Sequence, residues 1–419
     1  MENSIKPQKL LSQRIAEFLF TIYLITLYIF VDREETVIIS KAVFVVFAAF
    51  TVIAVLRSRS IHIGKNVMSV YIAFTWMFAT IFWAQDEYDA TVMMKTMWQL
   101  FIQFFLIYNL FVKQKNAHEY LLKSLYIAGL VLIGYSLYIY GFSEIFEMMT
   151  SESGVRLGKE INQENSFGMM NATTVMVAFY YLLYKKRFKL FHMATIVSSF
   201  VLAMASGSRK ALIIVCGGVI IMICKKYGWK KLYKVFVTMV VLVPLFMIII
   251  ELPMFETIKS RMESFGQIVT GEGAGDSSAR VRMEMIADGW DTFKERLVIG
   301  FGANNYKSVT RFRTYSHNNF IEILVDFGLL GFALYYFVYI NCFKNLWKAQ
   351  SDDRKALFSI FLMRFMMEIA MVTYYDKLHW VLVAFYLIGM SDEKHSEKEI
   401  TQEDNCCEQM IGNEEKIVS

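Results

Sequence analysis

His317 stands with Asn318 and Asn319 in the run Tyr315-Ser-His-Asn-Asn-Phe-Ile-Glu-Ile-Leu-Val-Asp-Phe-Gly-Leu-Leu-Gly331, where a long polar segment meets an apolar helix. Phe320, Ile323, Leu324 and Phe327 recur at i, i+3, i+4 and i+7, an apolar stripe of helical period. Asn318, Glu322 and Asp326 recur every four residues on another face. A helix opening on Ser-His-Asn-Asn sets polar groups at its N-terminus, where unpaired backbone N–H groups and the helix dipole favour anions. An imidazole there can accept a proton near neutral pH. The plainer alternative makes Ser316 and Asn318 ordinary caps and His317 a bystander at the lipid–water boundary.

Arginine supplies the second candidate chemistry. Ser206-Gly-Ser-Arg-Lys-Ala-Leu212 reads as a short turn between two apolar runs, which puts Arg209 at a membrane surface. Arg280 and Arg282 fall in a helical stretch of the long polar segment, and Arg156 in Ser153-Gly-Val-Arg-Leu-Gly158. A guanidinium grips phosphate with two charge-assisted hydrogen bonds, each worth about 1.5–3 kcal/mol, and is always charged. Cations at span ends also snorkel to the interface without any ligand. Several arginines on a face that should be poor in cations, flanked by Gly and Ser, favour a diphosphate clamp.

These residues sit in a chain of 419 residues that is 56% hydrophobic and 16% aromatic, with three prolines and a mean hydropathy of +0.40. Such apolarity over such length identifies an all-α polytopic membrane protein. The net charge of +5 does not point to nucleic acid. The five cysteines, at 216, 224, 342, 406 and 407, show no metal-ligand spacing and imply no disulfide framework. The first apolar run lacks a small-residue cleavage site and reads as a retained span.

Apolar windows near the ~20 residues needed to cross a bilayer occur at about 15–31, 38–56, 67–84, 93–112, 121–141, 167–184, 189–205, 210–224, 232–250, 319–342, 356–373 and 378–391. About twelve transmembrane helices are therefore expected. Helices one to nine would occupy 1–250, with an outer loop at 142–166. A long extracytoplasmic loop would cover 251–316, helices ten to twelve 317–391, and a polar cytoplasmic tail 392–419. Lys and Arg concentrate in alternate loops, such as Lys185-Lys-Arg187 and Lys225-Lys226, whereas Asp32-Arg-Glu-Glu35 and 251–316 are acidic or mixed. The positive-inside rule then puts both termini in the cytoplasm and His317 outside. Arg364 and Glu368, at i and i+4 within a span, each cost about 2.5–3.5 kcal/mol to insert and are expected to pair with each other. His379 is a weaker candidate near the outer end of the last span.

Four motifs in order carry a resemblance to the O-antigen ligase and polysaccharide polymerase superfamily of bacterial envelope glycosyltransferases. They are Ser206–Leu212, Arg282 followed by Gly300-Phe-Gly302, the His317–Gly331 helix, and the looser Arg156-Leu-Gly158 with Asn162, Asn165 and Gly168. The last looks most like the branch of Gram-positive capsular repeat-unit polymerases. Leu297-Val-Ile299 stands where the family often has Pro before Gly-x-Gly, and Asp326 lies one residue further from Gly-Leu-Leu-Gly than its pattern.

The resemblance implies a GT-C-like fold in the bacterial cytoplasmic membrane and undecaprenyl-diphosphate-linked glycans as substrates, with possible capsule-assembly partners such as a chain-length regulator. It implies a metal-independent glycosyltransferase without cofactor that polymerises lipid-linked repeat units into capsular or other surface polysaccharide. The alternatives are an O-antigen-type ligase that moves the glycan to a different acceptor, and a flippase for the same lipids. In this scheme Arg209 and Arg282 stabilise the departing diphosphate, and Arg156 assists. Arg280 is the alternative to Arg282, since the register rests on spacing. His317 positions or deprotonates the incoming hydroxyl, and Asn318 orients the imidazole or a sugar. No metal is expected.

Overall fold

A computed structural model describes residues 11–58, 61–150, 156–228, 233 and 277–389. Every regular element among them is helical, as the bilayer requires where backbone polar groups must find partners within one segment. The helices are α1 (Leu11–Ile29), α2 (Val37–Ser58), α3 (Lys65–Ala79), α4 (Glu87–Phe111), α5 (Ala117–Thr150), α6 (Glu164–Tyr180), α7 (Lys189–Ala205), α8 (Arg209–Tyr227), α9 (Ser277–Glu295), α10 (Tyr306–Val309), α11 (Asn319–Trp347), α12 (Asp352–Met367) and α13 (Lys377–Leu387).

The expectation of about twelve spanning helices is overturned. Among the described residues, five helical stretches are long and apolar enough to cross a membrane: Val37–Ser58, Glu87–Phe111, Ala117–Glu147, Glu164–Lys185 and Asn319–Trp347. The other windows fail for physical reasons. Helix α1 carries Arg14 and Glu17, and α8 begins on Arg209-Lys210 and ends near Lys225-Lys226. Helices α3, α7, α12 and α13 have 15, 17, 16 and 11 residues, against ~30 Å of hydrocarbon at 1.5 Å per residue. The expected span at 232–250 lies, save Tyr233, outside the described residues, as do 251–276 of the long loop and the tail from 392. Hydropathy windows averaged across breaks that the backbone makes. Nothing among the described residues supports a GT-C-like arrangement. What stands is an all-α, multi-pass membrane protein.

Aromatic packing fills the core. Phe20 meets Phe111 edge-on at 5.0 Å between centroids and Phe385 at 5.6 Å, tying α1, α4 and α13 together. Helix α6 packs against α7 and α8, and α8 against α12. One glycine makes the α6–α8 approach feasible: a Cβ on Gly168 would sit 2.4 Å from Ser206 Oγ and 2.8 Å from Ser208 Cβ. The turn between α7 and α8 therefore lies directly on α6.

A second backbone crossing sets the loop that precedes α11. Helix α11 breaks at Gly328 (φ 68°), and there the 297–302 segment crosses it. Phe301 N–H donates to Val325 O at 2.9 Å and Gly302 N–H to Asp326 O at 2.8 Å, while Leu329 N–H donates to Leu297 O at 2.8 Å. A Cβ on Gly328 would lie 2.3 Å from Val298 O, and one on Gly300 2.6 Å from Asp326 O. The two glycine motifs of the sequence are thus the halves of one contact. Buried Asp326 completes it, accepting from Asn304 N–H (2.9 Å), Tyr306 N–H (2.7 Å) and Tyr374 Oη (2.8 Å).

Candidate functional site

The turn before α11 is built by its own short polar residues. Ser316 Oγ donates to Asn318 O at 2.7 Å and receives Asn318 N–H at 3.0 Å, and Ser316 N–H donates to buried Glu322 Oε2 at 2.7 Å. Asn318 caps the helix, its Oδ1 accepting Ile321 N–H at 3.0 Å and its Nδ2 donating to Ile369 O at 3.0 Å. Pinned on both sides, His317 takes φ 58°, a left-handed conformation that costs a non-glycine residue about 1–3 kcal/mol and persists only where its surroundings enforce it. The imidazole packs on Tyr315 at 4.1 Å between centroids.

His317 lines a cavity of ≈ 270 Å³ that also takes in Asp32, Asn165, Lys210, Tyr315 and Asp376. Five chain segments converge there. The α1–α2 turn brings Asp32, the start of α6 brings Gln163, Asn165 and Ser166, and α8 brings Lys210. The pre-α11 turn brings His317, and the strap from α12 to α13 brings Met371, Val372 and Tyr375 to Lys377. Asn319 fastens the strap, its Oδ1 accepting Thr373 N–H at 2.8 Å and Tyr374 N–H at 3.2 Å while its own N–H donates to Glu368 O at 2.8 Å.

Cations gather on one part of this cavity, while a further one, Lys377, lines it beside Asp32 and Asp376. Arg156 Nε donates to Ser206 O at 2.8 Å and its Nη2 to Asn165 Oδ1 at 2.9 Å, so the guanidinium bridges the α7–α8 turn and a cavity-lining residue. Lys210 Nζ donates to the strap carbonyl of Ala370. Half-buried Arg282, on α9, is close enough to act electrostatically on both Lys210 and His317. Burial first, then the charges of Arg282 and Lys210, push the His317 imidazole down to about 4. At neutral pH it is a neutral acceptor beside cations.

The sequence-derived candidates are thus placed unequally. His317, Arg282 and Arg156 come together with Lys210. Arg280 points elsewhere, exposed and 3.9 Å from Glu284. Arg209 is half-buried at the start of α8 and is not among the cavity-lining residues, whereas Lys210 is. Both polar atoms of the Asn318 side chain are taken by the cap and by Ile369. The expected Arg364–Glu368 pair is replaced: Arg364 Nη2 binds Asp376 at 2.6 Å across to the start of α13. Glu368 instead accepts from Tyr336 (2.9 Å), Tyr335 (3.3 Å), Tyr339 and Thr373. His379 is buried among those tyrosines, 3.3 Å from Tyr335 Oη.

Sequence reasoning missed Lys210, Asp32 and Asp376. Lys210 was legible as the neighbour of Arg209, but which of two adjacent cations faces inward depends on the first turn of α8. Nothing local marked the two aspartates, because their convergence with His317 is tertiary.

Residues 194–336 match the family model described as O-antigen ligase, about a third of the chain, running from α7 through α8, α9 and the His317 turn into α11. A search of curated proteins finds no match.

Proposed function

We propose, on the match of residues 194–336 to the O-antigen ligase family model, that this protein transfers a glycan from a lipid-linked diphosphate donor, of the undecaprenyl type, to a hydroxyl of a separate acceptor. The single observation that carries this reading is the neutral imidazole of His317 in one cavity with Lys210, under the field of Arg282. Cleaving a sugar–diphosphate bond develops negative charge on the departing diphosphate, and fixed cations stabilise that charge best where water is scarce. Arg282 and Lys210 would take this role, with Arg156 at the Asn165 edge and Arg209 one residue from Lys210. The attacking hydroxyl must lose a proton, and His317 is the cavity-lining group neutral and able to receive it. A dianion held by Arg282 and Lys210 offsets the two charges that depress His317 and so raises its basicity as substrate binds. The strained φ of His317 fixes the ring before substrate arrives.

Polymerisation is the second reading, favoured by Arg156 bonding Asn165, the pair that resembles the capsule-polymerase pattern. Purified protein given one lipid-linked glycan with and without a second acceptor separates the two. Transfer only in the presence of the added acceptor is expected of a ligase. A ladder of multiples from the donor alone marks a polymerase. This reading has the reaction on the outer face of a bacterial cytoplasmic membrane.

A further inference from the structure

Asp32 shares the cavity with His317 but has no assigned task in the transfer. It lies on the α1–α2 turn, far in sequence from the superfamily match at 194–336. The turn is held in place mainly by other groups. Asp32 N–H donates to Oδ1 of buried Asn162 at 3.1 Å, Asn162 Nδ2 donates to Tyr28 O at 3.4 Å, and Arg33 donates to Glu160 O. The carboxylate lies beside the Ser166 side chain and the Gln163 backbone, both of which favour its charged form. A carboxylate has roughly four lone-pair sites, and these neighbours do not exhaust them. No cation lies within ion-pair distance of it among the described residues. Its neighbour Asp376 has both oxygens in use, one on Arg364 and the other capping α13 through Leu378 N–H at 2.8 Å.

The charge pattern divides the cavity. His317 feels Arg282 and Lys210, whereas Asp32 feels Asp376 and Lys377. Asp32 is exposed to solvent within the cleft, yet the protein packed around it raises its carboxyl above the usual range, with Asp376 adding to the effect. A diphosphate is drawn to Arg282 and Lys210, whereas at the other end Lys377 and Arg364 balance the two aspartates. A carboxylate with spare acceptor sites suits the many O–H donors of a sugar.

We propose that Asp32 is a glycan-binding residue of this cavity, accepting hydrogen bonds from sugar hydroxyls while Lys210 and Arg282 hold the diphosphate. The proposal rests on the glycan-transfer reading for its substrate class, but its test does not need turnover. Affinities of full-length protein in nanodiscs are measured for three probes: undecaprenyl diphosphate without sugar, the same lipid carrying one repeat unit of the producing organism's surface glycan, and that repeat unit as a free oligosaccharide with the bare lipid diphosphate bound. For the wild type, adding the glycan to the lipid strengthens binding, or the free oligosaccharide binds, or both.

Asp32→Asn is expected to weaken sugar binding at least about tenfold and leave bare undecaprenyl diphosphate unchanged, with Asp32→Glu recovering part of the loss. If Asp32 holds the donor sugar, the gain from lipid-linked glycan disappears. If it holds an acceptor sugar, only free oligosaccharide binding is lost. A purely structural role would lower the melting temperature and weaken the bare lipid equally, and would overturn the proposal. So would unchanged sugar affinities in Asp32→Asn. Wild-type protein that binds none of the three probes would overturn the glycan-transfer reading itself, and this inference with it.

Discussion

At the residue scale, the account turns on an imidazole held neutral by its surroundings. His317→Ala is expected to reduce transfer by about 10²–10⁴-fold, the usual contribution of a general base, while donor affinity stays within a few-fold; single-turnover transfer and donor titration check both halves. The pH profile follows from the downward shift. His317 works unprotonated, so activity is lost as pH falls through its pKa, and in the protein alone that lies at about 4. The kcat/KM for transfer should therefore stay level from neutrality to about one unit above that value. The acid limb of kcat should lie at higher pH, because bound diphosphate offsets Arg282 and Lys210. A kcat/KM limb near the ordinary histidine value of about 6.5 would mean that His317 is not desolvated as described. Arg282→Gln should weaken donor binding and turnover together, whereas Arg280→Gln should leave both unchanged, since Arg280 is exposed beside Glu284. His317 was legible in the sequence because its helix announced itself by period and caps. Choosing Arg282 over Arg280, or Lys210 beside Arg209, required knowing which way a helix is rotated, and spacing does not contain that.

At the scale of elements, the site depends on backbone crossings that only glycine permits. Gly328→Ala places a Cβ 2.3 Å from Val298 O at φ 68°, so it should cost more than about 1 kcal/mol and loosen the loop that leads to His317. A lowered melting temperature with a raised KM for donor would report that. The sequence showed Gly300-x-Gly302 and Gly328 as separate motifs, and their meeting appears only once the chain has turned back on itself. Arg364→Met leaves Asp376 without its cation. Breaking a fully enclosed pair costs about 3–5 kcal/mol, and the loss here should fall below that range because Asp376 opens on the cavity; chemical denaturation in detergent measures it. The i, i+4 spacing of Arg364 and Glu368 suggested a partner on the same helix. Glu368 instead closes the end of α12 and turns to four hydroxyls, and its place at that end is what the sequence pattern hid.

For the whole molecule, composition was enough to identify an all-α membrane protein, but not to count its crossings. The apolar window over 356–373 merged α12 with the start of the strap, so Met371 and Val372, which made it look continuous, line the cavity. Membrane orientation is the corresponding prediction at this scale. In a cysteine-free background, Cys at exposed Met283 of α9 should react with a membrane-impermeant maleimide in intact cells. Cys at Lys186 should react only after permeabilisation. The reverse pattern would place the cavity on the cytoplasmic side and remove outer-leaflet substrates from consideration. The most direct measurement of the central claim incubates purified protein with a lipid-diphosphate-linked glycan, alone and with a second acceptor, and resolves the products on a gel. The account predicts that wild-type protein moves the glycan and that His317→Ala, folded and binding donor, does not. Full transfer by His317→Ala, or none by the wild type under either condition, would contradict it.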